Sequence, residues 1–278
     1  MLLQGKVAVV TGGAQGIGRA TVEALLRGHT KQVVFVDMNK VMGEECKAQL
    51  DKEFGEETST FLQCDVSDGD ALTDIFQQIV EKFGRLDIVI NNAGINNEKH
   101  WEKTININLT SLIKGTYLGL EHMSKEHGKE GGTIINVSSM AGRKHTHTHY
   151  HTRSDSCVCS SAFIHSPHQP VYTATKYGVI GFTRALADAS ALCGYGVRIN
   201  AVCPAFVDTA LLKSVEHEEN MGKFVQFKDD FKLSMSKFGV LQPSLIAEGM
   251  LKLIDDESLN GAVMKITHSK GIHFHSYC

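Results

Sequence analysis

The chain has 278 residues, 42% of them hydrophobic and 21% charged, a composition typical of a globular protein with a single large domain. The formal net charge of −3 gives no reason to expect a nucleic-acid partner, and no apolar run approaches the roughly 20 residues of a membrane helix, so we expect no membrane insertion. The N-terminus lacks the features of a signal peptide, and seven scattered cysteines are typical of free thiols, so we expect a cytoplasmic protein.

Apolar strand patterns alternate with helical periodicity along most of the chain. Seven short apolar segments are predicted to be strands: Lys6–Thr11, Gln32–Asp37, a segment that ends at Cys64–Val66, Leu86–Asn91, Thr133–Val137, Val197–Val202 and Ala262–Ile266. Helical periodicity covers Gly16–Arg27, Asn39–Phe54 and Asp70–Phe83. Nearly continuous apolar strands separated by helices indicate a parallel sheet that is covered on both faces. We therefore expect an α/β protein in which residues 1–278 form one Rossmann domain, a doubly wound parallel seven-stranded sheet with helices on both faces.

A glycine-rich turn follows the first predicted strand and opens the first helix. Such a turn places backbone N–H groups and the positive end of a helix against a pyrophosphate. Gly12 permits the tight bend, Gly16 permits close approach of the ligand, and Gly18 lets the helix pack on the sheet. The run Asn91–Gly94 closes the fourth strand with small residues that suit a backbone passing under a cofactor, although a plain turn is the alternative.

Asp37 ends the second predicted strand, 19 residues after Gly18, which is close to the spacing of a ribose-binding carboxylate. A carboxylate here accepts hydrogen bonds from both ribose hydroxyls and repels a 2′-phosphate. Neither Gln15 nor Met38 supplies a cation to offset that repulsion, so we expect NAD rather than NADP. The alternative is that Asp37 only caps the next helix or ends its strand in solvent. Asp65, after the third strand, is open to similar interpretations, as a contact for the adenine amine, as a helix cap, or as both.

Tyr172 and Lys176 lie four positions apart, so they share one face of a helix. Oxidation of a secondary alcohol needs a base for the hydroxyl proton, and a tyrosine with its ordinary pKa of about 10 is a poor base. A cation about 4 Å away, at an effective dielectric of about 20, contributes about 4 kcal/mol, or roughly three pKa units. We therefore predict that Lys176 brings the pKa of Tyr172 towards neutrality, where general base catalysis is efficient. The alternative for such a pair is an ordinary amphipathic contact.

Ser138 and Ser139 close the fifth strand, at the edge where open α/β sheets bind ligands. One hydroxyl could hold the substrate oxygen, or both could be turn residues. The motifs Thr-Gly-x-x-x-Gly-x-Gly, Asn-Asn-Ala-Gly, Ser-Ser and Tyr-x-x-x-Lys follow one another in this order, and together they resemble those of short-chain dehydrogenases/reductases. The resemblance covers nearly all of the chain except a His-rich segment, and it implies an NAD-dependent alcohol oxidoreductase.

The resemblance also implies a role for each matching residue. Tyr172 would be the acid/base, Lys176 would lower its pKa and hold the nicotinamide ribose, and Ser139 would position the reacting hydroxyl. Asn108 would complete a proton relay through water, and Gln169 would contact the substrate. The predicted cofactor contacts are Gly12, Gly16, Ile17, Gly18, Asp37, Met38, Cys64, Asp65, Val66, Asn92, Tyr172, Lys176, Val207 and Thr209.

Three further stretches, 96–104, 218–222 and 269–274, are similar to members of this family that oxidise prostaglandins and related hydroxylated fatty acids. This narrower resemblance implies a lipid substrate whose 15-hydroxyl becomes a ketone, and it implies a homodimer formed through the long helices. Two alternatives stay open. One is a catalytically impaired NAD-binding protein, and the other is a dehydrogenase of another secondary alcohol such as a steroid.

Residues 143–168 depart from the family pattern as an atypical His-rich insertion, which separates Ser139 from Tyr172 by 33 positions. His occupies every second position over 145–151, as in a translated CA dinucleotide repeat. We hypothesise that the segment derives from non-coding sequence, and finding the repeat in spliced transcript would argue against this. The histidines could instead bind a metal, but a flexible loop lacks the geometry of a functional site, so we expect none. Displacement of catalytic groups by the insertion could weaken turnover.

Residues 209–242 carry apolar side chains among charges. The apolar positions are Leu211, Leu212, Met221, Phe224, Phe227, Phe231 and Met235. We predict that this segment is a lid that folds over an apolar substrate. The alternative is an amphipathic helix pair that merely covers the sheet.

Overall fold

The computed structural model describes residues 3–140 and 166–276. The strands are β1 (Val7–Thr11), β2 (Gln32–Asp37), β3 (Ser59–Gln63), β4 (Ile88–Asn91), β5 (Gly132–Val137), β6 (Val197–Pro204), β7 (Val263–Thr267) and β8 (Gly271–Phe274). The α-helices are α1 (Gly16–Arg27), α2 (Lys40–Phe54), α3 (Gly69–Phe83), α4 (Trp101–Ile105), α5 (Ser111–Met123), α6 (Pro170–Leu192), α7 (Ala210–Lys213), α8 (Glu218–Met221), α9 (Lys228–Phe238) and α10 (Pro243–Asp255).

The strands form a single sheet in the order β3-β2-β1-β4-β5-β6-β7-β8. Neighbours among β1 to β7 pair in parallel, which confirms the predicted Rossmann-like arrangement. The predicted count of seven strands is one too low, because β8 pairs antiparallel with β7. This eighth strand has only four residues, none fully buried, so it lacks the apolar run that marks the others. The strand order reverses between β1 and β4, and open α/β sheets bind ligands at such a switch point.

Two apolar layers cover the sheet, one on each face. Within β1, Ala8 and Val10 join the layer that contains α1 and α10, whereas Val7 and Val9 join the layer that contains α3 and α5. This alternation follows from the two-residue period of a strand. Helices therefore lie on both faces, as the continuous apolar strands predicted.

The N-terminal caps of two helices test whether Asp37 and Asp65 are helix caps. Helix α2 is capped by Asn39, whose Oδ1 accepts from the Met42 N–H at 3.1 Å. Helix α3 is capped by Asp68, which accepts from two first-turn N–H groups. The capping alternative is therefore wrong for both predicted ligand carboxylates.

The predicted insertion, 143–168, lies outside the described residues except for its last three, of which Ser166 and His168 are buried. The histidines considered there as metal ligands, at 145–151, also lie outside them. Within the two described ranges, no group of three or more His, Cys, Asp or Glu side chains could hold a metal ion. Among the described helices, none combines the length and the apolar character needed to cross a membrane.

Candidate active site

A cleft of about 360 Å³ opens where the carboxyl ends of the central strands meet. Every predicted cofactor contact except Gly18 lines it. These lining residues are Gly12, Gly16, Ile17, Asp37, Met38, Cys64, Asp65, Val66, Asn92, Tyr172, Lys176, Val207 and Thr209. Residues that are far apart in the sequence thus converge on one site because parallel strands all end at the same edge.

The glycine turn is held tightly against the end of β4. Gly12 has a φ of +64°, and a Cβ there would lie 2.9 Å from the Cα of Ala93. Asn92 fixes this contact, because its Nδ2 donates to the carbonyls of Thr11 at 2.9 Å and Gly12 at 3.0 Å. Gly18 lies behind the turn, where a Cβ would overlap the Gly12 carbonyl oxygen. The spacing of the glycines therefore serves close packing as well as ligand approach.

The residues around the turn fit a dinucleotide. The N-terminus of α1 faces the cleft, its N-cap Gln15 makes no side-chain capping bond, and its first turn contains no acidic residue. Backbone N–H groups in such a position bind a phosphate anion. At the end of β2, the Asp37 carboxylate accepts from the Ala14 N–H at 3.2 Å and the Asn39 N–H at 3.1 Å. The same carboxylate lines the cleft beside the glycine turn, where a ribose contact is expected.

Tyr172 and Lys176 are both buried on the face of α6 that borders the cleft. The Lys176 Nζ donates to the Val137 carbonyl at 2.9 Å and lies 5.5 Å from the centroid of the Tyr172 ring. The Ser139 hydroxyl hydrogen-bonds the Tyr172 phenol. Ser138 has a different partner, since its Oγ donates to the Lys176 carbonyl at 2.7 Å. The two serines are therefore not equivalent, because Ser139 contacts the phenol and Ser138 fixes β5 to the helix.

Burial dominates the ionisation of this pair. It raises the pKa of Tyr172 to about 12, against a smaller lowering by the Ser139 hydrogen bond. It lowers the pKa of Lys176 from 10.5 to about 8. Among the protein groups, burial thus outweighs the lowering of the Tyr172 pKa that we predicted from Lys176, because that prediction assumed a surface-like dielectric and a fully charged lysine. The helical spacing brings the two side chains together as expected, but their shared burial disfavours both charged forms.

Asn108 and Gln169 lie beside the cleft rather than on its described lining. Asn108 belongs to a π-helical turn, Asn106–Thr110, and its side chain accepts from the Ile95 N–H at 2.8 Å and donates to the Ile95 carbonyl at 2.9 Å. Gln169 is the buried residue that precedes α6. Asn108 therefore braces the cleft wall. Gln169 lies about one helical turn before Tyr172 in the sequence.

A family model for short chain dehydrogenases matches residues 6–151 and 157–220, well over half of the chain. The chain belongs to the short-chain dehydrogenase family. It is 52% identical over 277 residues to the 15-hydroxyprostaglandin dehydrogenase (NAD(+)) of Homo sapiens, a match that covers 100% of this chain and 96% of that protein. The enzyme of the same name from Mus musculus is also 52% identical, with 100% and 95% covered.

Among solved structures, the crystal structure of gox2181 superposes with a TM-score of 0.74 at 25% identity, covering 95% of this chain and 94% of the other. The Rossmann-like sheet of this short-chain dehydrogenase is therefore found in a relative whose sequence is far more distant than those of the two mammalian enzymes. The family assignment rests on the family model and the two mammalian enzymes, and the solved structure supports the fold.

Sequence reasoning missed one buried carboxylate beside the candidate active site. Glu98 accepts from the N–H of Tyr172 at 2.9 Å and from the N–H of Val171 at 3.0 Å. It lies 74 positions before Tyr172, within a polar loop, and no motif connects the two. Its position inside a stretch shared with prostaglandin-oxidising relatives is the one signal that could have drawn attention to it.

The segment predicted to be a lid packs over its own small apolar cluster. Val215, Met221 and Phe231 are buried within it, separately from the two layers of the sheet. Leu211 and Leu212, near its start, line the cleft. The segment thus combines an internal core with direct contact to the site.

Proposed function

We propose that this chain catalyses the NAD-dependent oxidation of the 15-hydroxyl of prostaglandins and related hydroxylated fatty acids to the ketone. The observation that carries the proposal is the 52% identity along the entire chain to enzymes named for this activity. The gathering of the serine, tyrosine and lysine of the family motif at one cleft supports it.

Bound NAD⁺ would supply the hydride acceptor and a positive ring charge. For its contacts we propose the N-terminus of α1 for the pyrophosphate, Asp37 for the adenine ribose and Asp65 for the adenine amine. Lys176 would hold the nicotinamide ribose, with Val207 and Thr209 near the carboxamide. All of these residues line the cleft.

Tyr172 is the proposed general base, and it takes the proton from the substrate hydroxyl. The Ser139 hydroxyl favours the phenolate, because its hydrogen bond lowers the Tyr172 pKa. Lys176 stays protonated below its pKa of about 8, so at neutral pH it contributes positive charge beside the phenol. We retain Asn108 as the proton relay, since its Nδ2 lies 3.4 Å from the Thr175 Oγ1 on α6. We also retain Gln169 as a substrate contact, supported by its place just before Tyr172.

For the substrate we propose that residues 209–242 form the lid, supported by the separate apolar cluster and by the contact of Leu211 and Leu212 with the cleft. The apolar side chains of this segment suit a fatty acid chain. The hydrogen bond between Ser139 and Tyr172 supports catalytic competence despite the insertion at 143–168 that separates them in sequence.

The test is formation of NADH when purified protein is incubated with NAD⁺ and prostaglandin E2. We expect turnover with NAD⁺ and far less with NADP⁺. Turnover only in a variant that lacks residues 143–166 would leave the substrate class intact and assign the defect to the insertion. NAD binding without oxidation of any hydroxy lipid would favour a catalytically silent protein. Faster oxidation of a steroid than of the prostaglandin, ranked by kcat/KM, would contradict the proposed substrate.

We also propose a cytoplasmic homodimer formed through α5 and α6. Tyr117 on α5 is 52% exposed and meets Phe182 on α6 edge-on at 5.9 Å, which gives this helix pair an aromatic outer face. The four described cysteines are free, which supports a reducing compartment. Sedimentation equilibrium tests the dimer, and a Tyr117→Glu variant should shift it to monomer.

A further inference from the structure

Glu98 is an acidic residue in a place where burial works against its charge. It is 6% exposed, in the loop between β4 and α4. Burial raises the pKa of its carboxyl group, and hydrogen bonds from the Tyr172 and Val171 N–H groups partly offset this. A buried carboxylate is costly unless it accepts hydrogen bonds, and the N–H groups of Tyr172 and Val171 supply two of them.

The two bonds lie at the first turn of α6. Pro170 is the first residue of this helix, and its N-cap Gln169 makes no side-chain capping bond. The orphan N–H groups of Val171 and Tyr172 are instead satisfied from another part of the chain by Glu98. A carboxylate at this end also interacts favourably with the helix dipole. Glu98 therefore replaces the local cap of the helix that carries the tyrosine.

The loop that carries Glu98 is itself braced on both sides. The Asn97 Oδ1 accepts from the His100 N–H at 2.7 Å, and the Thr104 Oγ1 donates to the Asn97 carbonyl at 2.6 Å. On the other side, the Lys99 N–H donates to the Asn220 carbonyl at 3.0 Å, in the segment proposed as the lid. The carboxylate is thus presented from a fixed support that contacts both α4 and the 209–242 segment.

We propose that Glu98 is a positioning residue for Tyr172. By binding the N–H of Tyr172 and of its neighbour, it fixes where α6 begins and hence where the phenol lies relative to Ser139 and Lys176. The inference rests on the proposed function for its kinetic consequence only. Because catalysis is sensitive to displacements of about 1 Å, loosening this helix start should lower kcat more than substrate affinity.

The main test compares Glu98→Gln with wild type, and Glu102→Gln is the matched control. Glu102 lies four residues further on and is exposed on α4. Glutamine keeps one acceptor but places an amide donor against the second N–H. We expect kcat with prostaglandin E2 to fall about tenfold or more, with an unchanged dissociation constant for NAD. Hydrogen exchange of backbone amides in a peptide covering 169–176 should be faster in Glu98→Gln and unchanged in Glu102→Gln.

The proposal would be overturned if Glu98→Gln kept the wild-type rate of amide hydrogen exchange over 169–176, or if its kcat were unchanged. If Glu98→Gln does not fold, Glu98→Asp provides the same test, because it keeps the charge but withdraws the carboxylate by one methylene. Faster exchange and lower kcat in Glu98→Asp would support the proposal, and wild-type values would overturn it. Absence of prostaglandin oxidation by the wild type would refute the proposed function alone, since the exchange measurement still decides whether Glu98 holds the helix start.

Discussion

The two ends of the parallel sheet treat buried ionisable groups in opposite ways. At the amino end, burial works against the Asp87 carboxylate, yet hydrogen bonds from Arg85, Val7 and Lys6 outweigh it and hold its pKa below the usual value. At the carboxyl end, burial prevails, so the pKa of Tyr172 rises to about 12 and that of Lys176 falls to about 8. The amino end therefore stabilises the charged form of Asp87, and the carboxyl end disfavours the charged forms of Tyr172 and Lys176.

In an open α/β sheet, ligands bind at the carboxyl ends of the strands, so groups at the amino end are left to stabilise the fold. Asp87 accepts from Arg85 Nη2 at 2.6 Å and from the Val7 N–H at 2.8 Å, so its capacity is taken up by the protein itself. The cleft instead contains two groups, Tyr172 and Lys176, whose charged forms are disfavoured by burial, and pKa values perturbed in this way are common at functional sites. Substitutions at the two ends should therefore separate into loss of activity and loss of stability.

The largest effect is expected from Tyr172→Phe. Removal of the phenol eliminates the proposed base, so turnover should fall by about 10²–10⁴-fold while NAD binding and thermal stability change little. NADH formation and the melting temperature measure the two quantities. Tyr177→Phe on the same helix, where the side chain is 40% exposed, should retain activity. Undiminished ketone formation by Tyr172→Phe would contradict the proposed mechanism.

The lowered pKa of Lys176, at the carboxyl end of the sheet, can be tested through the pH dependence of stability. The unfolded chain keeps this proton up to the ordinary pKa of 10.5, whereas the folded chain releases it from about pH 8. Between these values the unfolded state binds more protons, so the contribution of Lys176 to the free energy of unfolding rises with pH. Below pH 8 the buried ammonium is a constant destabilising factor. Urea unfolding of wild type and Lys176→Met from pH 7 to 10 should show wild type gaining relative to the variant, and parallel curves would argue against a lowered pKa.

The sequence predicted the parts of this contrast that depend on chain-local spacing. The turn at Gly12, the acid at Asp37 and the four-residue interval between Tyr172 and Lys176 all follow from local pattern, and the family motif added Ser139. The pKa of Tyr172 could not be predicted, because its direction depends on burial that the whole fold creates. Glu98 was missed for the same reason, since its hydrogen bonds join residues 74 positions apart.

Fold details escaped prediction where the local signal is weak. Strand β8 is short and partly exposed, so nothing in its four residues separates it from a loop. The two helices are capped by Asn39 and Asp68, not by Asp37 and Asp65, for which capping was the alternative to a cofactor contact. In both cases a capping residue stands two or three positions from an equally suitable neighbour, and only the backbone path selects between them.

At the amino end, Asp87→Ala should reduce stability and leave the chemistry unchanged. The Val7 N–H would lose its buried acceptor, for a loss of about 2 kcal/mol in the free energy of unfolding. The exposed parts of Arg85 and Lys6, both 36% exposed, can regain hydration, which keeps the loss from being larger. Urea unfolding measures the loss, with Glu130→Ala, at a site 76% exposed, as the control of little effect. The activation free energy calculated from kcat should change by less than the free energy of unfolding. A larger change would contradict the assignment of stability to the amino end and chemistry to the carboxyl end.

The smallest effect concerns cofactor choice at Asp37. Replacement by Asn removes the charge that repels a 2′-phosphate and weakens the acceptor for the ribose hydroxyls. We expect NAD to bind about tenfold more weakly and NADP about tenfold more tightly, or roughly 1.4 kcal/mol in each direction. Asp65→Asn is the matched control, because the adenine is common to both cofactors and both affinities should fall together. Equal weakening of NAD and NADP by Asp37→Asn would mean that Asp37 supports the turn through Ala14, where its Oδ2 accepts at 3.2 Å, instead of selecting the ribose.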